Sequence, residues 1–155
     1  MKAITLQTNP AQPPLRLVDM PAPERTGPKQ ALVRVLEVGL DGTDKELLHS
    51  RTTVAATERG DLVLGHELLG RVLEVGPQCE SLRPGDLVTA LVRRPCPDAD
   101  CVYCRSGRLD YCASGRFTER GIKEADGFLA ETIVEEEKYL VKVPEELAAL
   151  GVLIE

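Results

Sequence analysis

The stretch PCPDADCVYCRSGRLDYC, residues 95–112, holds four of the five cysteines in a 155-residue chain. Cys96, Cys101, Cys104 and Cys112 follow a C-x4-C-x2-C-x7-C spacing. Zinc takes four soft ligands in a tetrahedron, with sulfur at about 2.3 Å, and short loops gather thiolates around an ion at little closure cost. Cys101 and Cys104 form the clamp, and the polar surroundings with Gly107 would let the loop wrap an ion without a core of its own. Four sulfur ligands leave no open coordination position, so such a zinc would brace structure and touch no substrate. Two disulfides, or four reduced thiols without metal, are the alternatives. A dithiol redox role for Cys101 and Cys104 lacks the surrounding βαβ pattern that such centres use. Cys79 stands alone and reads as a bystander.

A second set of chemically capable residues lies in GLDGTDKE (39–46) and LGHELLG (64–70). Each places polar side chains between glycines just after an apolar run, where a strand would open into a loop. Asp41 offers a carboxylate, His66 an imidazole and Glu67 a second carboxylate. On their own these residues fit a satisfied polar pair as well as a metal site.

The elements that must position both sets are mostly strands. ALVRVLEVGL (31–40) alternates Val33 and Val35 against Arg34, then loses phase near Leu36 as a β-bulge would make it do. LLGRVLEVG (68–76) ends at Gly76-Pro77, and PGDLVTALV (84–92) starts on a Pro-Gly turn and is apolar on both faces. KYLVKVP (138–144) alternates Tyr139, Val141 and Val143 against Leu140 and Lys142. Two short helices are expected, at 44–50 and at 144–150, the second opened by Pro144 and the acidic pair Glu145 and Glu146 and stopped by Gly151. Eleven prolines and thirteen glycines between short strands indicate a compact β barrel, mainly β with few short helices.

Composition narrows the function classes. With 43% hydrophobic and 28% charged residues the chain is an ordinary globular domain in size and make-up. A formal charge of −6 disfavours nucleic acid and anionic membranes as partners. There is no long apolar run, and MKAITLQTNP lacks the apolar core of a signal peptide, so a cytoplasmic setting with reduced thiols is expected.

GHELLGRVLEVGPQCESLRPGDLV closely resembles the zinc-dependent medium-chain alcohol dehydrogenases, in which a Gly-His-Glu turn precedes one strand and a Gly-Asp-x-Val turn opens another. The four-cysteine lobe follows at the expected distance, and the MKAI start also fits. VGLDGTDKE, RRPC, FTERGI, DGFLAE and EKYLVKVP look most like the glucose dehydrogenase branch. Asp41 stands where general members carry a cysteine ligand, as it does in some glucose dehydrogenases. The four-residue gap between Cys96 and Cys101, where the family uses two, is a departure that makes Cys96 the least secure of the four sulfur ligands.

The resemblance implies a GroES-like, partly open β barrel over residues 1–155 with a structural zinc lobe at about 93–115. It implies a catalytic zinc on Asp41 and His66, with Glu67 bound directly or through water and Glu155 completing the sphere. The implied reaction is oxidation of a sugar hydroxyl, at C1 of an aldose such as glucose, with hydride passing to NAD or NADP. Thr43 would hydrogen-bond the reacting oxygen or the nicotinamide, and Glu119 the sugar. Glu46 would relay the proton to solvent. The structural alternatives are a solvated helix face for Glu46 and a surface salt bridge to Arg116 or Arg120 for Glu119. Val92 replaces an asparagine that some sugar dehydrogenases place before the paired arginines, and His49 matches no functional position.

No G-x-G-x-x-G follows any strand, so the phosphate cradle for a nicotinamide cofactor is expected in a Rossmann-type domain beyond these residues. The ending GVLIE, without a polar tail, reads as an internal cut. The expectation is a catalytic domain that is inactive alone, exposes an apolar face to its missing half, and belongs to a full-length homo-oligomer. Two other readings stay open: the same family acting on a polyol, alcohol or threonine, and a non-catalytic zinc-stapled binding module.

Overall fold

The computed structural model describes residues 1–9, 11–51 and 59–153 and is mainly β, as the strand pattern indicates. Strands β1 (Lys2–Gln7), β2 (Leu15–Asp19) and β3 (Gln30–Gly39) lead into helix α1 (Gly42–Ser50), followed by β4 (Asp61–Val63), β5 (Glu67–Val75) and β6 (Leu87–Ala90). A small lobe contains β7 (Arg93–Arg94), helix α2 (Val102–Arg105), a 3-10 turn at Leu109–Tyr111, β8 (Thr118–Arg120) and β9 (Glu124–Ala125). β10 (Thr132–Glu136) and β11 (Leu140–Lys142) complete the barrel.

The main sheet runs β10-β3-β5-β6-β11 and a second runs β2-β1-β4, with β7-β8-β9 forming the base of the lobe. β3 pairs antiparallel with β5, and its register slips between Val35 and Glu37, at the bulge the sequence pattern announces. A second slip lies between Leu32 and Val33. Val33, Leu68, Val72, Leu82, Val88, Phe128, Ile133 and Leu140 form the largest buried cluster. All four residues of β6 are buried, because the strand lies between β5 and β11 with both faces covered.

Two local expectations are corrected. In 138–144, Leu140 and Val143 are buried while Val141 is exposed, because a 3-10 turn at Glu137–Tyr139 leaves a strand of only three residues, too short for the alternation to run. The segment after Pro144 is a 3-10 helix, Glu145–Leu153, and Gly151 lies inside it rather than ending it. Gly151 is buried against Leu69, and a side chain there would overlap the Leu69 methyls. The Glu137 carboxylate closes the turn before β6 by accepting the amides of Glu80, Ser81 and Leu82 at 2.7–3.0 Å. Burial pushes this carboxyl up, but the three amides and the Ser81 hydroxyl outweigh it and hold it at about 2. No described helix is long and apolar enough to cross a membrane.

Candidate metal centres and active site

Helix α1 begins where it does because Asp41 caps it. The Asp41 side chain accepts the Thr43 amide at 2.7 Å, and Asp44 Oδ2 accepts the Asp41 amide at 3.1 Å, a reciprocal capping box. The cap extends the helix two residues upstream of the expected start and anchors both carboxylates at one end of it. His66 reaches the same place from the turn before β5. Gly65, at φ +82°, lets that turn form, and a Cβ there would sit 2.6 Å from Val38 Cγ1 and 2.9 Å from Leu129 Cγ.

Asp41, Asp44 and His66 therefore converge, each offering an atom within 4.8 Å of the others. His66 Nε2 lies 3.7 Å from Asp41 Oδ1, and Nδ1 lies 3.5 Å from Asp44 Oδ2. A carboxylate facing Nδ1 favours the tautomer with its proton there and leaves the Nε2 lone pair pointing toward Asp41. Burial pushes the Asp44 carboxyl up, yet His66 and the Asp41 amide outweigh this and keep it below the usual carboxylate range. Asp44 Oδ1 is buried and accepts no hydrogen bond among the described residues. A buried carboxylate oxygen without a donor is costly unless a charge lies nearby, and a divalent cation between Asp41 and His66 would supply it. The donor set, imidazole with carboxylate oxygen, suits zinc and can leave a position open.

Sequence reasoning named Asp41 and His66 but missed Asp44, whose signal was its place three residues after a capping aspartate. The Thr43 hydroxyl contacts Asp41 Oδ2 at 3.3 Å. Glu67, the first residue of β5, turns its carboxylate over Gly39 and is not among the atoms that gather with His66. Glu46 is exposed on α1, and Glu155 lies outside the described residues. His49, also exposed, closes a local contact to the Lys45 carbonyl at 2.7 Å.

The four lobe cysteines form no disulfides, and their sulfurs lie within 4.8 Å of one another. Cys96 takes its place despite the longer loop before Cys101, because that loop folds back through the Asp98 carbonyl onto the Cys101 amide at 3.2 Å. Four sulfurs on a zinc ion stand roughly 3.8 Å apart, so the set needs only a small contraction to close. The thiols already differ in proton affinity. The Cys104 amide lowers Cys101, and the Ser114 hydroxyl draws Cys112 down to about 6. A hydrogen bond from the Cys96 backbone favours the Cys104 thiolate, but burial and the adjacent sulfurs outweigh it and push Cys104 up to about 12. Cys79 stands apart, its thiol near the Gln30 carbonyl at 3.6 Å.

Arginines fasten this lobe to the barrel. Arg94 is largely buried, its guanidinium 3.8 Å from the Tyr139 ring centre and paired with Glu135. Glu119 pairs with Arg93, not with Arg116 or Arg120, at 2.7 Å across the β7–β8 ladder. The strand carrying Glu119 is pressed onto the His66 turn: a Cβ on Gly121 would lie 2.7 Å from the Gly65 carbonyl carbon.

The sequence matches the alcohol dehydrogenase GroES-like domain over residues 27–145. It is 43% identical over 141 residues to a glucose 1-dehydrogenase of Methanocella arvoryzae, covering 91% of this chain and 39% of that protein. It is 43% identical over 157 residues to a glucose 1-dehydrogenase of Metallosphaera sedula, covering 100% and 42%. The fold superposes with TM-score 0.86 and 38% identity on Haloferax mediterranei glucose dehydrogenase in complex with NADP, Zn and gluconolactone, covering 100% of this chain and 42% of that one. The chain thus spans about two fifths of the length of these relatives. Since the match runs through both clusters and the strands that hold them, the chain belongs to the alcohol dehydrogenase GroES-like domain family.

Proposed function

We propose that these residues form the catalytic half of a zinc-dependent glucose (aldose) 1-dehydrogenase. The observation that carries the reading is the approach of His66 Nε2 to Asp41 Oδ1, 3.7 Å, beside a buried Asp44 oxygen that lacks a donor. The names of the relatives, and the NADP, Zn and gluconolactone in the Haloferax structure, support the choice of substrate class.

In this reading Asp41 and His66 hold the catalytic zinc, with Glu67 and Glu155 as the remaining candidate ligands, and the four lobe cysteines hold a structural one. When bound, the catalytic zinc stabilises the charge that develops on the sugar oxygen before hydride leaves carbon. Asp44 keeps His66 in its Nε2-basic tautomer. Thr43, whose hydroxyl proton points to Asp41, has lone pairs free to accept the reacting hydroxyl. Glu46, exposed on α1, passes the released proton to water, and Glu119 accepts a second sugar hydroxyl. The hydride goes to NAD or NADP held by a Rossmann-type half outside residues 1–155. Leu147, Leu150 and Leu153, exposed along the 3-10 helix, together with Val141 support docking of that half. Five cysteines without a disulfide fit a reducing cytoplasm, and the whole protein is proposed to assemble from copies of itself.

Metal analysis tests the reading. The full-length protein is expected to carry about two zinc ions per chain. His66→Ala should lose one of them along with glucose-dependent reduction of NAD or NADP, and Cys101→Ser with Cys104→Ser should lose the other. A wild-type protein that carries only one zinc, with the same content in His66→Ala, would leave a stapled binding module. Preference for sorbitol, ethanol or threonine over glucose would move the substrate within the family.

A further inference from the structure

Arg93 is engaged on several sides at once in the lobe. Its Nε donates to Glu119 Oε1 at 2.9 Å and Nη1 donates to Asp110 Oδ1 at 2.6 Å, while Nη2 stands 2.7 Å from Glu119 Oε1 as the closest ion-pair approach. The guanidinium carbon stands 4.3 Å from the centre of the Phe117 ring, which covers one of its faces. All three nitrogens and one π-face are engaged, so the side chain is held in one geometry. Backbone pairing fixes the register as well, because Arg93 lies directly opposite Glu119 on β7 and β8.

The way Glu119 is held matters more than the fact that it is. An arginine facing a carboxylate head-on engages both oxygens. Here Nε donates to Oε1 and Nη2 approaches that same oxygen, and Oε2 accepts nothing among the described residues. The carboxylate is mostly buried, with its side chain 16% exposed, and its backbone is tied to Lys123 by two bonds of 2.9 Å. Two residues on, Gly121 rests on the Gly65 peptide, so the reach of Oε2 is referenced to the turn that carries His66.

We propose that Arg93 is a positioning residue for substrate: by occupying one oxygen of Glu119 it presents the other to a sugar hydroxyl. Through Asp110, two residues before Cys112, it also ties that presentation to the folded cysteine lobe. The proposal rests on the reading of Glu119 as a sugar acceptor. Lysine cannot replace arginine here, since a single ammonium cannot span Glu119 and Asp110 while stacking on Phe117.

The test uses Arg93→Gln, Arg93→Lys and Glu119→Gln in the full-length protein. It reads glucose KM and kcat, glucose affinity by calorimetry, and zinc content. Both Arg93 variants should raise KM and Kd for glucose about tenfold, the worth of one charged hydrogen bond, with kcat within about twofold and zinc content unchanged. A panel of singly deoxygenated glucoses adds a signature. The sugar on which the wild type loses that factor should lose nothing further in Arg93→Gln, because the missing hydroxyl and the missing arginine remove the same bond. A merely structural role would instead lower zinc content or thermal midpoint and weaken every sugar equally. If Glu119→Gln leaves KM unchanged, the sugar role of Glu119 falls. If Glu119→Gln raises KM and both Arg93 variants do not, the positioning proposal falls and the sugar role stands.

Discussion

Replacing Gly121 by alanine should cost far more than its size suggests. Gly121 has φ +75°, and Gly85 in the Pro84 turn has φ +95°, so alanine at either position accepts left-handed backbone strain of about 1–2 kcal/mol. At Gly85 the added methyl meets nothing within 4 Å. At Gly121 it would lie 2.7 Å from the Gly65 carbonyl carbon, 3.1 Å from its nitrogen, and closer still to its oxygen. Backbone cannot rotate away as a side chain would, so overpacking adds about 1–3 kcal/mol. For a domain of this size the difference corresponds to about 3–10 °C in melting midpoint. Gly85→Ala and Gly121→Ala should be melted by calorimetry in zinc-containing buffer, with metal content measured on both. Gly121→Ala should melt lower than Gly85→Ala and should release zinc from the Asp41–His66 pair, because the displaced peptide is the one preceding His66. Equal midpoints and equal metal content for the two variants would refute the claim that the Glu119 strand and the His66 turn are packed as one unit.

Asp44→Asn should weaken zinc at the Asp41–His66 site by about 10- to 100-fold while the four-thiol site keeps its metal, because an amide can donate to His66 Nδ1 and reverse the tautomer. Zinc titration against a competing chelator checks this. Glu137, held at about 2 against an ordinary 4.5, stabilises the fold above pH 4.5, and that contribution fades as pH falls toward 2. Glu137→Gln should therefore lower the urea midpoint at neutral pH by a small amount, as suits a carboxylate that water still reaches, and match the wild type near pH 2.

The parts of the fold legible in the sequence are those where side chains alternate over a long strand. Val33 buried beside exposed Arg34, and the slip after Val35, follow from β3 being ten residues long with one face on the core. β7, β8 and β9 carry Arg-Arg, Thr-Glu-Arg and Glu-Ala, so no period could reveal them; paired charges and rings hold them instead. β1 and β4 pack on a core of their own around Leu6 and Leu62, where Thr5, Leu6 and Gln7 are buried in succession and the alternation of β1 is lost. The cysteine lobe was legible because sulfur spacing is local. The convergence of Asp41 with His66 was visible only by resemblance, since the two lie on elements joined through tertiary packing. Asp44 was hidden by its ordinary appearance as a helix-opening acid.

Asp41 answers to two masters. The oxygen that terminates the first turn of α1 is the one facing His66 Nε2, so an ion arriving there competes with the Thr43 amide for the same lone pairs. A thiol in its place would ligate well and cap badly, forfeiting about 1 kcal/mol of helix stability. An aspartate lets the peptide dipoles and the ion share a single anion, and loading the ion should loosen the start of α1, speeding the exchange of its first amide protons with solvent.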